Sequence, residues 1–214
     1  MTERAPRYGV LLSTLVLVLL AHPVFLEIGW DQEFRLLFAA TMVAICFAVG
    51  ARGRVLALAV TLALPAGAAQ VVAYEAPGVV ASVCAALLTL LLLVLAIVLV
   101  MRRVLEAGPI EADRIAGAIC VYLLLGLAWA MAHAGLWWLR PGAYAGGDTT
   151  PVGSESAFIY FSFTTLTTLG YGDLVPVAPM ARTLAWLEAL SGQLFLGVTI
   201  ARLVGLRVAG RSDG

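Results

Sequence analysis

Lysine is absent from this chain, and its 13 basic side chains are all arginine. Charged residues of both signs fill only 12% of the 214 positions and balance to a net charge of +0, which argues against a nucleic-acid partner. Cysteine is scarce too. Cys46, Cys84 and Cys120 each sit inside an apolar run, without the close spacing that zinc or a redox pair needs, so they read as small, buried, lipid- or helix-facing residues. There is no phosphate-binding P-loop, no His/Asp/Glu metal cluster and no paired nucleophile and base, so the sequence reads as neither an enzyme nor a cofactor protein. Hydrocarbon takes the place of charge: 62% of residues are hydrophobic, against about 45–50% in an ordinary soluble domain. The chain is therefore read as an all-α protein integral to a membrane.

The first apolar run follows Arg4 and Arg7, as the core of a secretory signal would. It continues through Val24 to Ile28, however, and Ala21-His22-Pro23 is a poor cleavage site, so it reads as a first membrane helix. Further spans are expected over 36–49, 55–73, 79–101, 115–138 and 180–204. The second is short for a hydrocarbon core of ~30 Å. Arginine placement sets the orientation. With the N-terminus inside, Arg4, Arg7, Arg52, Arg54, Arg102, Arg103, Arg114, Arg202, Arg207 and Arg211 fall on the cytoplasmic side, leaving Arg35, Arg140 and Arg182 outside. Glu27, Asp31, Glu33, Glu75, Asp148, Glu155 and Asp173 collect opposite. Six crossings with both termini cytoplasmic satisfy the bias; five or seven do not.

Between the fifth and sixth spans the composition changes. Arg140-Pro141-Gly142 ends a helix, and 143–152 is polar and glycine-rich enough for an exposed outer turret. Ser154 can then cap a short helix over 157–167, with Glu155 beside its positive end. That helix, carrying Phe158, Tyr160, Phe161 and Phe163, is too short to span the bilayer and must enter and return. Irregular backbone is allowed at membrane depth only where protein buries it or where it lines a water-filled cavity. The stretch that follows is Thr167-Thr168-Leu169-Gly170-Tyr171-Gly172-Asp173. Glycines on both sides of a tyrosine let successive carbonyls point the same way, because glycine reaches dihedrals that a side chain forbids. Carbonyl oxygens so aligned can replace water around a cation.

Residues 115–204 resemble the pore module of the potassium channel superfamily: a helix, a re-entrant pore helix, a filter and an inner helix. The run from Tyr160 through Asp173 looks like the version found in many prokaryotic members, with Leu169 where the usual filter has Val. The resemblance implies a four-helix N-terminal membrane domain over 1–110, a pore domain over 111–206 and a short cytoplasmic tail over 207–214. It implies that the carbonyls of Thr168, Leu169, Gly170 and Tyr171, with the Thr168 hydroxyl, ligate dehydrated potassium, Gly172 completing the loop and Asp173 ringing the outer mouth. A single chain supplies one quarter of each cage, so a homotetramer in the plasma (inner) membrane is implied. Thr164 stands where several members place a carboxylate behind the filter.

On the inner helix, Gly192 matches the family's proposed gating hinge, and Gly197 is a second small residue; close helix packing is the other reading of both. Gln193 faces the cavity below the filter or bonds a neighbouring helix. Glu188 is the one acid inside that span, and an intramembrane ionisable group is a functional candidate by default. It is expected to meet the back of the pore helix near Thr164 or Tyr160, or to be protonated, with or without a part in gating. His133, near Trp137 and Trp138, reads as part of an outer aromatic belt.

The fourth span has no charge between Val79 and Met101, whereas voltage sensing needs several arginines along a membrane helix. The expectation is a potassium channel without a conventional voltage sensor, its gate left open among lipid, tension, filter state, pH and a partner protein. A weakly selective cation channel and a non-conducting membrane subunit are the alternatives.

Overall fold

The structure is a computed structural model that describes residues 7–29, 41, 53–106, 112–146 and 152–212. They form six helices and two short strands: α1 (Arg7–Glu27), α2 (Arg54–Glu75), α3 (Val79–Val104), α4 (Ala112–Leu139), β1 (Tyr144–Gly146), α5 (Glu155–Leu166), β2 (Leu174–Pro176) and α6 (Pro179–Ser212). Four of the described helices, α1 to α4, are long and apolar enough to cross a membrane. The span expected over 36–49 lies, apart from Thr41, outside the described residues, as does Cys46. Of the other cysteines Cys120 is buried and Cys84 is exposed on the apolar helix α3, in keeping with helix-facing and lipid-facing positions.

Apolar side chains gain little by leaving lipid, so helices in a membrane associate through close packing and polar contacts. α4 is built for this, with Gly117, Ala118, Gly126, Ala130, Ala134 and Gly135 all buried. A Cβ on Gly117 would lie 2.9 Å from Val104 Cγ2 and 3.3 Å from Tyr8 Cγ, and one on Gly135 would lie 3.6 Å from the Ala86 Cβ. The start of α4 thus meets the end of α3, and its end meets the start of α3, so the two are antiparallel. α2 reaches α3 through only three residues and packs along it, with Gln70 Nε2 donating to Thr89 Oγ1 at 3.2 Å inside the pair.

The first amides of a helix have no partner within it. At α1 the Asp113 carboxylate supplies one, accepting from Tyr8 N (2.7 Å) and Gly9 N (3.2 Å). A carboxylate at a helix N-terminus also complements the helix dipole. α1 and α4 consequently start at the same end of the bundle, and α1, α2 and α4 run in the same direction. α3 finishes at that same end, with Arg102 and Arg103 in its last turn, where cations complement a helix C-terminus. Arg202 Nη2 ties α6 to that end by donating to Leu105 O at 2.5 Å.

Three expectations are corrected here. The 143–152 segment is not all exposed turret: Ala143 and Tyr144 are buried, and β1 pairs antiparallel with β2, Tyr144 opposite Pro176 and Gly146 opposite Leu174. The Ala143 carbonyl accepts from Val177 N and Ala178 N, so the chain on either side of the loop is stitched together. The short helix begins two residues earlier than expected, and the last helix runs on to Ser212, through most of the segment expected as a tail.

Candidate ion-binding loop and its support

At 1.5 Å per residue the 12 residues of α5 reach only about 18 Å. Its N-terminus is closed as the sequence suggests, with the Ser154 side chain accepting from Ala157 N at 3.1 Å and Glu155 in the first turn. Phe158, Phe161, Ser162 and Leu166 are buried, and Phe163 lies so close to α4 that a Cβ on Gly126 would meet its ring at 2.8 Å.

The loop after α5 turns on one acceptor. Thr164 O receives Leu169 N at 2.8 Å and Gly170 N at 3.1 Å. In a planar trans peptide the N–H and the preceding C=O point in opposite directions. With both amides aimed at α5, the carbonyls of Thr168 and Leu169 are turned to the open side of the loop. Positive φ at Thr168 (60°), Gly170 (55°) and Gly172 (81°) falls on every second residue of the stretch. Alternation of this kind keeps successive peptide groups facing one way. A positive φ is strained for threonine and free for glycine, so Thr168 is the strained position.

The loop is otherwise open. Leu169 is 56% exposed and Tyr171 68% exposed, and Thr168, Gly170 and Gly172 are exposed with them. Tyr171 stacks on Tyr160 of α5 with ring centroids 6.4 Å apart and planes 3° from parallel, while Asp173 receives a hydrogen bond from the Tyr160 hydroxyl. The Thr164 hydroxyl donates to Phe161 O in its own helix, so at this position it is the main-chain carbonyl that holds the loop. A carbonyl row with these openings can coordinate a dehydrated cation once other such rows close the cage.

Behind α5 lies a fully buried polar chain. Tyr144 Oη lies 2.6 Å from His133 Nδ1, and His133 Nε2 lies 2.9 Å from Glu188 Oε2. Glu188 Oε1 hydrogen-bonds Ser162 Oγ, which also donates to Gly126 O at 2.6 Å. His133, Ser162 and Glu188 are all 0% exposed. Burial pushes the Tyr144 phenol up, so it keeps its proton. Glu188 does meet the back of α5, but its partner there is Ser162, not Thr164 or Tyr160. His133 is no belt residue: it is packed edge-on between the rings of Tyr144 and Phe161. Sequence reasoning missed Ser162 and Tyr144 altogether. The available signal was that His133 and Glu188 are isolated ionisable residues inside apolar helices, each of which needs a buried partner.

The remaining inner-helix candidates divide. Gly192 is buried against the end of α5, where a Cβ would collide with the Leu166 carbonyl oxygen and lie 2.9 Å from Leu166 Cδ1. Tyr122 Oη also reaches that carbonyl, at 3.4 Å. Gln193 and Gly197 are exposed in the single chain, and nothing lies within 4 Å of a Cβ placed on Gly197. Arg182 donates from Nε to Pro176 O.

A family model described as an ion channel matches residues 117–206, from α4 through most of α6 and a little under half of the chain. The Inward rectifier potassium channel Kirbac3.1 of Paramagnetospirillum magnetotacticum is 50% identical over 46 residues, a stretch that is 22% of this chain and 16% of that protein. No solved structure matches. The chain therefore carries an ion-channel domain on an apolar helical scaffold and is an integral membrane protein.

Proposed function

We propose that this protein is a potassium-selective channel that lets K+ pass down its gradient through a homotetrameric pore, with no catalytic role and no bound cofactor. The observation that carries this reading is the pair of hydrogen bonds from Leu169 N and Gly170 N to Thr164 O, which turns two carbonyls of the loop outward together. Thr168, Leu169, Gly170 and Tyr171 would each contribute a carbonyl to K+ sites, Gly172 would end the row, and Asp173 would stand at the outer mouth. Four copies are needed because one chain gives one side of each cage. The exposed apolar residues Leu187, Leu190 and Leu194 of α6, the exposed Gln193 and the open surroundings of Gly197 support a face that other copies cover.

Six crossings with both termini cytoplasmic fit the direction of the helices. α1 and α2 run in the same direction, which supports reading one further crossing, over 36–49, between them. The arginine bias then puts the loop at the outer face of the plasma (inner) membrane of a prokaryote. α3 carries no charge before Arg102, so opening is proposed to be independent of a charged voltage sensor and set by lipid, filter state or a separate gating partner.

Purified full-length protein in potassium-loaded liposomes tests the reading. Barium-sensitive K+ efflux, lost when Gly170 is replaced by alanine, is expected. Absence of efflux from wild type would favour a non-conducting subunit, and Na+ efflux equal to that of K+ a weakly selective cation channel.

A further inference from the structure

The Ser162 hydroxyl has one proton and two acceptors in reach. Gly126 O is 2.6 Å away, and Glu188 Oε1 is the other. Two oxygens at 2.6 Å with no proton between them repel, so the Ser162 proton belongs to the Gly126 contact. The Glu188 contact then needs a proton of its own, and only the carboxyl can supply it. The rest of the chain closes consistently: His133 Nε2–H donates to Glu188 Oε2, and the Tyr144 hydroxyl donates to His133 Nδ1. Every donor is used once and every buried atom is satisfied, without a net charge. Among the described residues no buried side-chain nitrogen or oxygen lacks a partner. The ionised alternative fails this count. An imidazolium would direct Nδ1–H at the Tyr144 oxygen and leave the buried Tyr144 proton with no acceptor.

We propose that Glu188 is a neutral carboxylic acid that donates its proton to Ser162 of α5, and that this proton latches the pore helix to α4, α6 and β1 and so positions the filter. The inference rests on reading the Thr168–Gly172 loop as a potassium filter, and it adds Ser162, His133 and Tyr144 as positioning residues. The links are short. Ser162 lies two residues before Thr164, whose carbonyl holds Leu169 N and Gly170 N. Losing the proton would set a carboxylate against the Ser162 oxygen, which can answer only by giving up Gly126.

The groups around the carboxyl allow the assignment. From α4 it meets His133, while the Tyr122 hydroxyl is turned to Leu166 O. From β1, Tyr144 stands behind the imidazole, and from α5 only Ser162 bonds it, the Tyr160 hydroxyl being turned to Asp173. β2 holds no titratable residue, and on α6 itself Arg182 is engaged with Pro176 O.

Infrared spectra and K+ efflux of the full-length protein in liposomes test this together. The wild type is expected to show the carbonyl stretch of a protonated carboxylic acid that E188Q abolishes and that S162A retains at higher frequency, its hydrogen-bond acceptor gone. Efflux is expected to fall as the pH is raised on both sides, by about tenfold per pH unit beyond the transition. In E188Q, whose amide still donates but does not titrate, the profile should be flat. If E188Q removes no carboxylic-acid band, or if its efflux keeps the wild-type pH profile, the proposal is overturned. A band lost in E188Q and shifted in S162A, found with no wild-type efflux at any pH, would support the neutral acid and overturn the filter reading instead.

Discussion

Replacing Gly192 by alanine separates packing from hinging. In a helix interior alanine is more favourable than glycine by about 1 kcal/mol, so a glycine kept only for flexibility should yield a more stable protein when replaced. The surroundings of Gly192 point the other way. The added Cβ would collide with the Leu166 carbonyl oxygen, a backbone atom that cannot swing aside, and would lie 2.9 Å from Leu166 Cδ1 and 3.1 Å from Cγ. Overpacking of this kind costs about 1–3 kcal/mol. Because the nearest atom is backbone, the upper part of that range applies, and the net change is a loss of about 1–2 kcal/mol. Gly67 in α2 is the control, since nothing lies within 4 Å of its Cβ position and replacement should gain up to about 1 kcal/mol. Thermal unfolding of the purified channel should then place G192A below G67A by roughly 4–12 °C, at about 2–4 °C per kcal/mol for a chain of this size. Leu166 ends α5, which leads into the loop proposed as the filter, so on that proposal G192A should also lower K+ efflux. A melting temperature raised as in G67A, with only opening altered, would refute the packing argument and restore the hinge.

Asp113→Ala removes the carboxylate that closes the start of α1, at a cost of about 1–2 kcal/mol, and hydrogen exchange at Tyr8 and Gly9 should accelerate while amides in α4 stay protected. Ser154→Ala deprives Ala157 N of its cap and should destabilise the entry of α5 by about 1 kcal/mol, whereas Ser154→Asp, an equally good cap, should retain wild-type melting. Gly126→Ala pushes a Cβ against the Phe163 ring and should cost about 1–3 kcal/mol, recovered when Phe163 is shortened to leucine in the same chain. With no charged residue in α3 before Arg102, planar-bilayer currents in symmetric potassium should have equal slopes at both polarities; steep activation by depolarisation would contradict the proposal that no charged sensor opens the pore.

Local chemistry explains what the sequence disclosed. Thr168 to Asp173 announces itself because glycine spacing determines backbone dihedrals residue by residue, and Ser154 because an N-cap acts within one turn. Glu188 stands out as an acid in an apolar helix, and its contact with α5 follows from the place of the short helix between two long ones. The identity of its partners did not follow. His133 and Glu188 are 55 residues apart and Tyr144 is brought in by the β1–β2 pairing, and three-residue strands leave almost no period to read. For the same reason the sequence reads as if Tyr144 lay in an exposed turret and His133 in an aromatic belt. Thr164 shows a subtler limit: its side chain was the natural focus, yet its carbonyl holds the loop, and main-chain acceptors are alike at every residue. Helix continues to Ser212, through most of the 207–214 segment read as a tail, polar residues being compatible with helix and with a tail alike.

The central claim is that the Thr168–Gly172 loops of four chains form a cage fitted to dehydrated K+. The most direct test is the reversal potential of the reconstituted wild-type channel with potassium on one side of a bilayer and sodium at equal concentration on the other. Selection by such a cage predicts a reversal potential displaced far toward the potassium equilibrium potential, and a displacement that collapses in Gly170→Ala. A wild-type reversal potential at zero would contradict it.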